Sequence, residues 1–284
     1  MCGIVAYIGH RPAAPILMEG LKRLEYRGYD SAGIAVVNEA IQLAKAAGRV
    51  RVLDEMLGAA PPFEGSLGIA HTRWATHGEP NDTNAHPHTE QADQPHFALI
   101  HNGIIENYAT LKIYLRERGH VFASDTDTEV LTHLIAELYD GDLEHAVQAA
   151  LREVTGAYAI AVVCADEPDT LVVARKGSPL MVGVGKDEYI VASDSSAIVS
   201  HTTQAITLDD YTVAKLTRNS FRTTTIDNVP ITPQVQELEF GLEQIELGGY
   251  EHFMLKEIFE QPDALRLCLK GRIDPREGQV VLGG

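Results

Sequence analysis

The second residue of this chain, Cys2, is the side chain with the most evident chemistry. It follows Met1 directly and precedes Gly3, which adds no bulk beside the sulfur. Removal of Met1 would leave a thiol and a free α-amine on one residue. The reference pKa of such an amine is about 7.7–8.0 and that of the thiol about 8.5, so the amine can act as base for its own nucleophile. The position also suits a cysteine that only packs at the start of a strand, because the apolar run IVAYI follows.

A nucleophile that attacks a carbonyl carbon also needs hydrogen-bond donors where the oxyanion develops. Asn102 and Gly103 follow the apolar segment 97–101, and a side-chain amide and an unobstructed backbone N–H could supply two such donors. Asn-Gly is also typical of a turn. The sequence predicts that this dipeptide ends the strand, and both interpretations of its role stay open on these residues alone.

Two polar segments carry charges that could hold an amino-acid substrate. Arg73 lies in HTRWATHG (71–78), and a guanidinium can bind a carboxylate through two parallel hydrogen bonds. Asp127 lies in SDTDTE (124–129) and could accept an ammonium group. The alternatives are a surface ion pair for Arg73 beside a core Trp74, and a helix N-cap for Asp127.

The elements that must position these residues are two strand-rich parts with a helical part between them. Apolar patterning predicts strands at 3–9, 33–37, 66–71, 97–101, 157–163, 171–175, 181–184, 189–192 and 211–216. It predicts helices at 14–25, 107–118, 127–138, 142–153 and 251–270. Residues 75–95, rich in Pro, Asn, Asp, Thr and His, are predicted to form a long loop. The pattern favours two sheets covered by helices and leaves open whether they form one α+β sandwich or separate domains.

Composition limits the classes of function. The 284 residues carry a formal net charge of −17, which weighs against a nucleic-acid partner. Three cysteines, at positions 2, 164 and 268, are too few and too scattered for a disulfide framework and favour a reducing compartment. Apolar stretches fall short of the ~18 residues that span a bilayer. The sequence thus predicts a cytoplasmic protein with neither a nucleic-acid nor a membrane partner.

Five segments together resemble the glutaminase half of the glutamine–fructose-6-phosphate aminotransferase family. They are MCGIVAYIG (1–9), EYRGYDSAG (25–33), HTRWATHGEP (71–80), NAHPH (84–88) and HNGIIEN (101–107). Other class II amidotransferases share the MCGI start but generally lack HTRWATHG in this form. The resemblance implies a glutaminase domain at 1–240, with 241–284 as a linker and the start of a truncated sugar-isomerase domain.

The same resemblance implies an α+β fold, a four-layer α-β-β-α sandwich of the N-terminal-nucleophile hydrolase type. Cys2 would be the nucleophile, with its own α-amine as base, and the Asn102 side chain and Gly103 N–H would form the oxyanion hole. The implied reaction is hydrolysis of L-glutamine to L-glutamate and ammonia through a thioester. In the full-length protein the ammonia would pass to fructose 6-phosphate and yield glucosamine 6-phosphate.

The substrate contacts are implied in the same way. Arg73, with Thr76 and His77 nearby, would hold the glutamine α-carboxylate, and Asp127 would hold the α-ammonium. Trp74 would lie on a loop that closes over the site and links it to the sugar site. An amide without the amino-acid head group would leave both charges unpaired, which explains selectivity for glutamine.

The remaining implications concern supporting groups and partners. Arg27 would have a supporting role near Cys2, and no cofactor or metal is implied. The twelve histidines, among them His86 and His88, invite a metal hypothesis, but no HExxH or Cys/His ligand spacing supports it. The partners would be L-glutamine and the sugar-isomerase domain of a full-length homodimer.

Two departures and two alternative functions remain. Ala6 stands where the family usually has glycine, and the stretch 89–96 is longer than usual. The chain could instead be the glutaminase domain of another class II amidotransferase. It could also be a non-catalytic glutamine-binding module if Met1 is retained, because the α-amine of Cys2 would then not be free.

Overall fold

Antiparallel strand pairing organises most of the chain in the computed structural model. The structure describes residues 2–90, 94–238, 249–269, 273–274 and 279–280. The chain divides into two compact units, Met1–Glu239 and Phe240–Gly284. The identity of these two parts as a glutaminase domain and the start of a sugar-isomerase domain stays a prediction.

The described strands and helices follow one another in two strand-rich stretches around a helical one. The strands are β1 (Gly3–Ile8), β2 (Ser31–Val37), β3 (Ile41–Ala47), β4 (Leu67–Arg73), β5 (His88–Thr89), β6 (Phe97–Ile105), β7 (Gly156–Cys164), β8 (Leu171–Lys176), β9 (Met181–Val184), β10 (Tyr189–Ala192), β11 (Gln204–Thr207), β12 (Thr212–Thr217), β13 (Ser220–Thr225), β14 (Pro230–Ile231), β15 (Gln236–Glu237), β16 (Ile273–Asp274) and β17 (Gln279–Val280). The α-helices are α1 (Ala13–Leu24), α2 (Val50–Gly58), α3 (Tyr108–Glu117), α4 (Asp127–Glu137), α5 (Leu143–Glu153) and α6 (Phe253–Leu269).

The first unit contains two sheets. The first has the order β15-β11-β9-β10-β1-β4-β2-β3, and the second has the order β14-β13-β12-β8-β7-β6-β5. β1, which directly follows the predicted nucleophile, and β4, which carries the predicted Arg fork, are neighbours at the centre of the first sheet. β6 pairs with β7 in the second sheet over its whole length.

Alternation along the strands builds three apolar cores. In β1, Ile4 and Ile8 join the core between the two sheets, whereas Val5 and Tyr7 pack with α1 and α2. In β6, Ile100 faces the core between the sheets, whereas Leu99 before it faces the core beside α3, α4 and α5. The third core lies between the second sheet and α3, α4 and α5. These layers confirm the predicted four-layer α-β-β-α sandwich, and burial of both sheet faces explains why many strands are continuous apolar runs.

One predicted boundary is wrong, and several elements, among them β3, β11, β13 and α2, were not predicted. Asn102 and Gly103 do not end a strand, because β6 continues to Ile105 in register with β7. The sequence pattern did not identify β3, which lies at one edge of the first sheet. It also did not identify α2, which packs beside β3. The predicted lengthening of 89–96 falls partly outside the described residues, because 91–93 are not described.

No helix within the described part of the chain combines the length and apolar character that crossing a membrane requires.

Candidate active site

The structure brings every residue predicted for the site to one cleft of about 430 Å³. The cleft lies where the start of β1, the end of β4, the middle of β6 and the N-terminus of α4 meet. The predicted residues that line it are Cys2, Arg27, Arg73, Trp74, Thr76, His77, Asn102, Gly103 and Asp127. The roles assigned to them remain predictions, and their proximity is a property of the fold.

Cys2 precedes the first residue of β1, and its sulfur contacts the backbone at the end of β4. The Trp74 N–H donates to Sγ over 3.2 Å, and the thiol lies 3.4 Å from the Trp74 carbonyl oxygen, which accepts from it. Burial raises the pKa of the Cys2 thiol, while the Trp74 backbone contact and the charge of Arg73 act in the opposite direction. Little thiolate therefore forms at neutral pH unless a nearby base removes the proton.

Asn102 is held on two sides. Its Nδ2 donates to the carbonyl oxygen of Cys2 over 3.0 Å, and its Oδ1 lies 2.9 Å from Nε2 of His71. A primary amide has two N–H donors. One Nδ2 hydrogen is thus used to tie Asn102 to Cys2, and the second is the group that can face a ligand in the cleft.

Gly103 has a backbone conformation that other residues rarely adopt. Its φ is +136°, and a Cβ at this position would lie 2.0 Å from the carbonyl oxygen of Ala157 on β7. Glycine is therefore required for close pairing of the two strands at the cleft. Gly103 is exposed in the cleft although it lies in a strand whose preceding residues are buried.

Arg73 ends β4 and is only 3% exposed, whereas the adjacent Trp74 is 45% exposed. The alternative of a surface arginine beside a core tryptophan is therefore wrong. The guanidinium donates to the carbonyl oxygens of His77, Gly78 and Glu79. Burial lowers the pKa of Arg73, although nearby acidic groups oppose the shift. Arg73 thus fixes the following loop and places a buried positive charge at the cleft.

Asp127 is the first residue of α4 and is not its N-cap. Thr126 is the cap, since its side chain accepts a hydrogen bond from the Glu129 N–H. The Oδ2 of Asp127 accepts from the Ile105 N–H over 2.8 Å, which joins α4 to the end of β6. A carboxylate at a helix N-terminus is stabilised by the helix dipole. The buried carboxylate lines the same cleft as Arg73.

The loop after β4 carries the other predicted substrate residues. The Ala75 N–H donates to Asp30 over 2.9 Å, and the Trp74 ring meets Tyr29 edge-on with 5.4 Å between ring centroids. Thr76 is exposed at the cleft. His77 packs edge-on against Tyr108, and its Nδ1 is buried with no hydrogen-bond partner among the described residues. The loop therefore brings the exposed Trp74 ring to the cleft, together with an imidazole whose Nδ1 has no hydrogen-bond partner among the described residues.

Arg27 lies in a single 3-10 turn directly after α1. It forms an ion pair with Asp194 at 2.8 Å, so its charge is already compensated. The next residue, Gly28, is pressed against β4, and a Cβ there would lie 2.7 Å from the Arg73 carbonyl carbon. This contact explains why position 28 of the motif EYRGYDSAG is glycine. The ion pair with Asp194 is compatible with a supporting role for Arg27 near Cys2.

A buried polar layer that partly lines the cleft was not predicted as part of the site. Thr128 of α4 hydrogen-bonds His86 at 2.9 Å and His101 at 3.0 Å, and Thr126 hydrogen-bonds His88 at 3.0 Å. Burial lowers the pKa of each of these histidines. Across the described ranges, no three His, Cys, Asp or Glu side chains are grouped to hold a metal ion. The signal in the sequence was the motif NAHPH, whose imidazoles pair with threonines far away in the chain.

Comparison with known proteins finds curated relatives that share one name. Glutamine–fructose-6-phosphate aminotransferase (isomerizing) of Chlorobaculum tepidum is 54% identical over 290 residues, covering 100% of this chain and 47% of that protein. The protein of the same name from Symbiobacterium thermophilum is 52% identical over 283 residues, covering 99% of this chain and 46% of that protein. The chain thus spans about half the length of the curated relatives it matches.

Solved structures support the fold. Glutamine phosphoribosylpyrophosphate amidotransferase from B. subtilis, complexed with ADP and GMP, matches with a TM-score of 0.68 and 27% identity, covering 79% of this chain and 49% of that chain. The sandwich is therefore that of the N-terminal-nucleophile amidotransferases, as predicted. The sequence profile of the glutamine amidotransferase domain family matches residues 59–247, which is more than half of the chain. The chain belongs to the glutamine amidotransferase domain family.

Proposed function

We propose that this chain hydrolyses L-glutamine to L-glutamate and ammonia, with Cys2 as the nucleophile. One observation carries the proposal: the Cys2 thiol, the Asn102 amide and two buried opposite charges, Arg73 and Asp127, line a single cleft. A thiol and an amide donor suit acyl transfer, and the two charges suit the carboxylate and ammonium of an amino acid.

The reaction begins once removal of Met1 has freed the α-amine of Cys2. The amine takes the thiol proton, directly or through a water, and Sγ attacks the side-chain amide carbon of glutamine. A C–S bond forms, and the oxygen becomes an oxyanion that the second Nδ2–H of Asn102 and the Gly103 N–H stabilise. A base is needed because burial raises the pKa of the thiol.

Collapse of this intermediate breaks the C–N bond and leaves a thioester. The protonated amine returns its proton to the departing nitrogen, so that ammonia leaves as a neutral molecule. Water then attacks the thioester with the amine again as base, through a second oxyanion in the same hole. Glutamate leaves and Cys2 is restored, so the net reaction consumes one glutamine and one water.

The two opposite charges in the cleft, Arg73 and Asp127, explain why an amino acid would be the substrate. Arg73, with Thr76 and His77, holds the α-carboxylate, and Asp127 holds the α-ammonium. Arg73 also donates to carbonyl oxygens of the loop that carries Trp74. Binding of a carboxylate at Arg73 therefore bears directly on the loop that we expect to close over the site.

The names of the relatives support a proposal for the fate of the ammonia. We propose that the full-length protein transfers it to fructose 6-phosphate through a sugar-isomerase domain that begins within residues 241–284, with 1–240 as the glutaminase domain. Two curated relatives of that name are 54% and 52% identical to this chain, whereas the phosphoribosylpyrophosphate amidotransferase structure is 27% identical. We further propose that the full-length protein is a cytoplasmic homodimer.

The decisive experiment measures the intact mass of the purified chain before and after incubation with a diazo-ketone analogue of glutamine, with peptide mapping of the adduct. We expect loss of Met1 and a single adduct on Cys2. Cys164, which is buried, and Cys268, which is exposed, serve as internal controls for selectivity. A Cys2→Ala variant should give no adduct and release no ammonia.

Other outcomes would replace the proposal. Retained Met1 with no adduct would make the chain a glutamine-binding module. A Met1-bearing chain that hydrolyses glutamine at a normal rate would overturn the role of the α-amine. Sugar amination is tested separately: the full-length protein should convert fructose 6-phosphate and glutamine into glucosamine 6-phosphate, and this chain alone should yield only glutamate and ammonia.

A further inference from the structure

Behind Asn102 lies a histidine that the reaction described above does not use. His71 belongs to β4 of the first sheet and Asn102 to β6 of the second, 31 positions later in the chain. Their side chains meet in the space between the sheets, with His71 Nε2 2.9 Å from Asn102 Oδ1. His71 is 1% exposed, so this contact is shielded from water and from substrate.

The direction of this hydrogen bond follows from the other contact of Asn102. Nδ2 of Asn102 donates to the Cys2 carbonyl oxygen, so Oδ1 is the acceptor that faces His71. Nε2 of His71 must then carry a proton and donate it. One proton on Nε2 satisfies the contact with Asn102, and the other ring nitrogen, Nδ1, is buried with no hydrogen-bond partner among the described residues.

The surroundings keep the ring neutral. Burial lowers the pKa of His71 to about 3; the hydrogen bond to Asn102 opposes this shift, and the nearby charge of Arg73 adds to it. The His86 ring lies against it, with 4.3 Å between ring centroids. Because the ring stays neutral well above pH 3 and keeps its proton on Nε2, it donates to Asn102 in the same way at every neutral or mildly acidic pH.

We propose that His71 is a positioning residue for the oxyanion hole, holding the Asn102 amide so that Nδ2 faces the reacting carbonyl. Without the donor at Oδ1, only the bond from Nδ2 to the Cys2 carbonyl opposes rotation of the amide. Rotation by half a turn would place Oδ1 beside that carbonyl oxygen and remove the Nδ2 donor from the cleft. This role rests on the proposed function, since it presupposes an oxyanion.

Loss of His71 should therefore weaken binding of the transition state and leave binding of glutamine nearly unchanged. The oxyanion exists only after Cys2 attacks, so a misplaced Asn102 should lower kcat and leave glutamine binding at Arg73 and Asp127 nearly intact. Loss of a whole oxyanion-hole donor typically costs about 10²- to 10³-fold in kcat. We expect His71→Leu to cost roughly 10- to 100-fold, because a misdirected donor still spends part of its time in place.

The test is a double-variant cycle on glutamine hydrolysis, with His71→Leu, Asn102→Ala and the double variant. If His71 acts through Asn102, the double variant should be no slower than Asn102→Ala alone. His71→Gln carries an N–H donor at a reach similar to Nε2 and should recover most of the activity. A γ-aldehyde analogue of glutamine, which forms a thiohemiacetal oxyanion on Cys2, should bind His71→Leu more weakly, while L-glutamate should bind equally well.

Two controls keep the test decisive. Urea unfolding of each variant separates loss of fold from loss of positioning. ¹⁵N NMR of the imidazoles in the unsubstituted chain should show His71 as the neutral Nε2–H form, and an Nδ1–H or charged ring would overturn the proposal even if the variants fail to fold. Multiplicative losses in the double variant, or a rise in KM at unchanged kcat, would also overturn it. A wild-type chain that releases no ammonia overturns the proposed function, and this role with it.

Discussion

The carboxylate of Asp127 accepts a hydrogen bond from the Ile105 N–H and also supplies negative charge to the cleft. An asparagine can perform the first task but not the second. We therefore expect Asp127→Asn to keep the junction between α4 and β6 and to raise KM for glutamine by roughly 10- to 100-fold, as loss of a hydrogen bond to a charged group would. The stability of the variant should fall by no more than about 1 kcal/mol, from the lost interaction with the helix dipole.

Steady-state kinetics with glutamine test this expectation, and Asp125→Asn is the matched control. Asp125 lies two residues earlier, is exposed, and does not line the described cleft. Its variant should keep the wild-type KM. Equal KM values for Asp127→Asn and wild type would remove Asp127 from the ammonium site.

Gly103 is a residue of the cleft at which the backbone conformation requires glycine. A Cβ would have to fit at φ +136° and 2.0 Å from the Ala157 carbonyl oxygen, so β6 and β7 would have to separate. We expect Gly103→Ala to lower the free energy of unfolding by about 2–4 kcal/mol and to abolish glutamine hydrolysis. Gly119→Ala is the control, because Gly119 has φ +93° but nothing within 4 Å of the added carbon.

Gly119→Ala should cost only about 1 kcal/mol, the penalty of the backbone conformation alone. Urea denaturation measures both variants. Equal losses would mean that the close approach to β7 adds nothing at Gly103.

Single residues also show where sequence reasoning stops. The predicted nucleophile and charged clamp could be named as candidates from their side-chain types, and the resemblance to a known family assigned their roles. His71 could not, because its partner is Asn102, 31 positions away on another sheet. The Asn-Gly pair was predicted to end a strand, since sequence cannot distinguish a turn from a strand that needs glycine at positive φ. Thr128 was missed because a threonine becomes informative only when the histidines it joins are known.

At the scale of elements, the N-terminus of α4 places Asp127. Thr126 caps the helix through the Glu129 N–H at 3.2 Å and also contacts His88 and Ser124. We expect Thr126→Ala to lower the free energy of unfolding by about 1–2 kcal/mol, the upper range for loss of a cap. KM for glutamine should rise with it, because the neighbouring carboxylate loses its fixed position.

Thr126→Ser keeps the hydroxyl and serves as the matched variant. Urea denaturation should place it within about 1 kcal/mol of wild type, because only a buried methyl group is lost. If the alanine and serine variants are equally stable, the hydroxyl contributes nothing to the end of α4. The predicted start of α4 at Asp127 was accurate. The alternative that Asp127 caps the helix was wrong, because Thr126 one residue earlier is also a good cap residue and sequence does not choose between them.

Elements at the centre of the sandwich were easier to predict than those at its edge. β7 is buried along most of its length and reads as a continuous apolar run. β3 is an edge strand in which buried and half-buried residues are mixed, and its alanines favour a helix as much as a strand. The pairing order within each sheet was not predictable, because it depends on contacts between strands far apart in sequence.

At the scale of the whole molecule, the sandwich encloses several neutral histidines. Burial lowers the pKa of His71 to about 3, and it also lowers the pKa of His86, His88 and His101. In the unfolded chain a histidine binds a proton below pH ~6.5. The unfolded state therefore takes up protons that the folded state does not, and stability must fall as pH falls below that value. Glu129, whose pKa is lowered to about 2, adds to the loss below pH ~4.3.

His71 alone should contribute a slope of about 1.4 kcal/mol per pH unit between pH ~6.5 and about 3. Urea unfolding at pH 8.0, 6.5, 5.5 and 5.0 measures it, and we expect a steady loss below pH 6.5 and a nearly constant value above. His71→Gln should reduce the slope by about one proton, and His10→Gln, which changes an exposed histidine, is the matched control. An unfolding free energy that is the same at pH 8 and pH 5 would mean that these rings are protonated in the folded protein. His71 would then carry charge beside Asn102, against the burial that lowers its pKa.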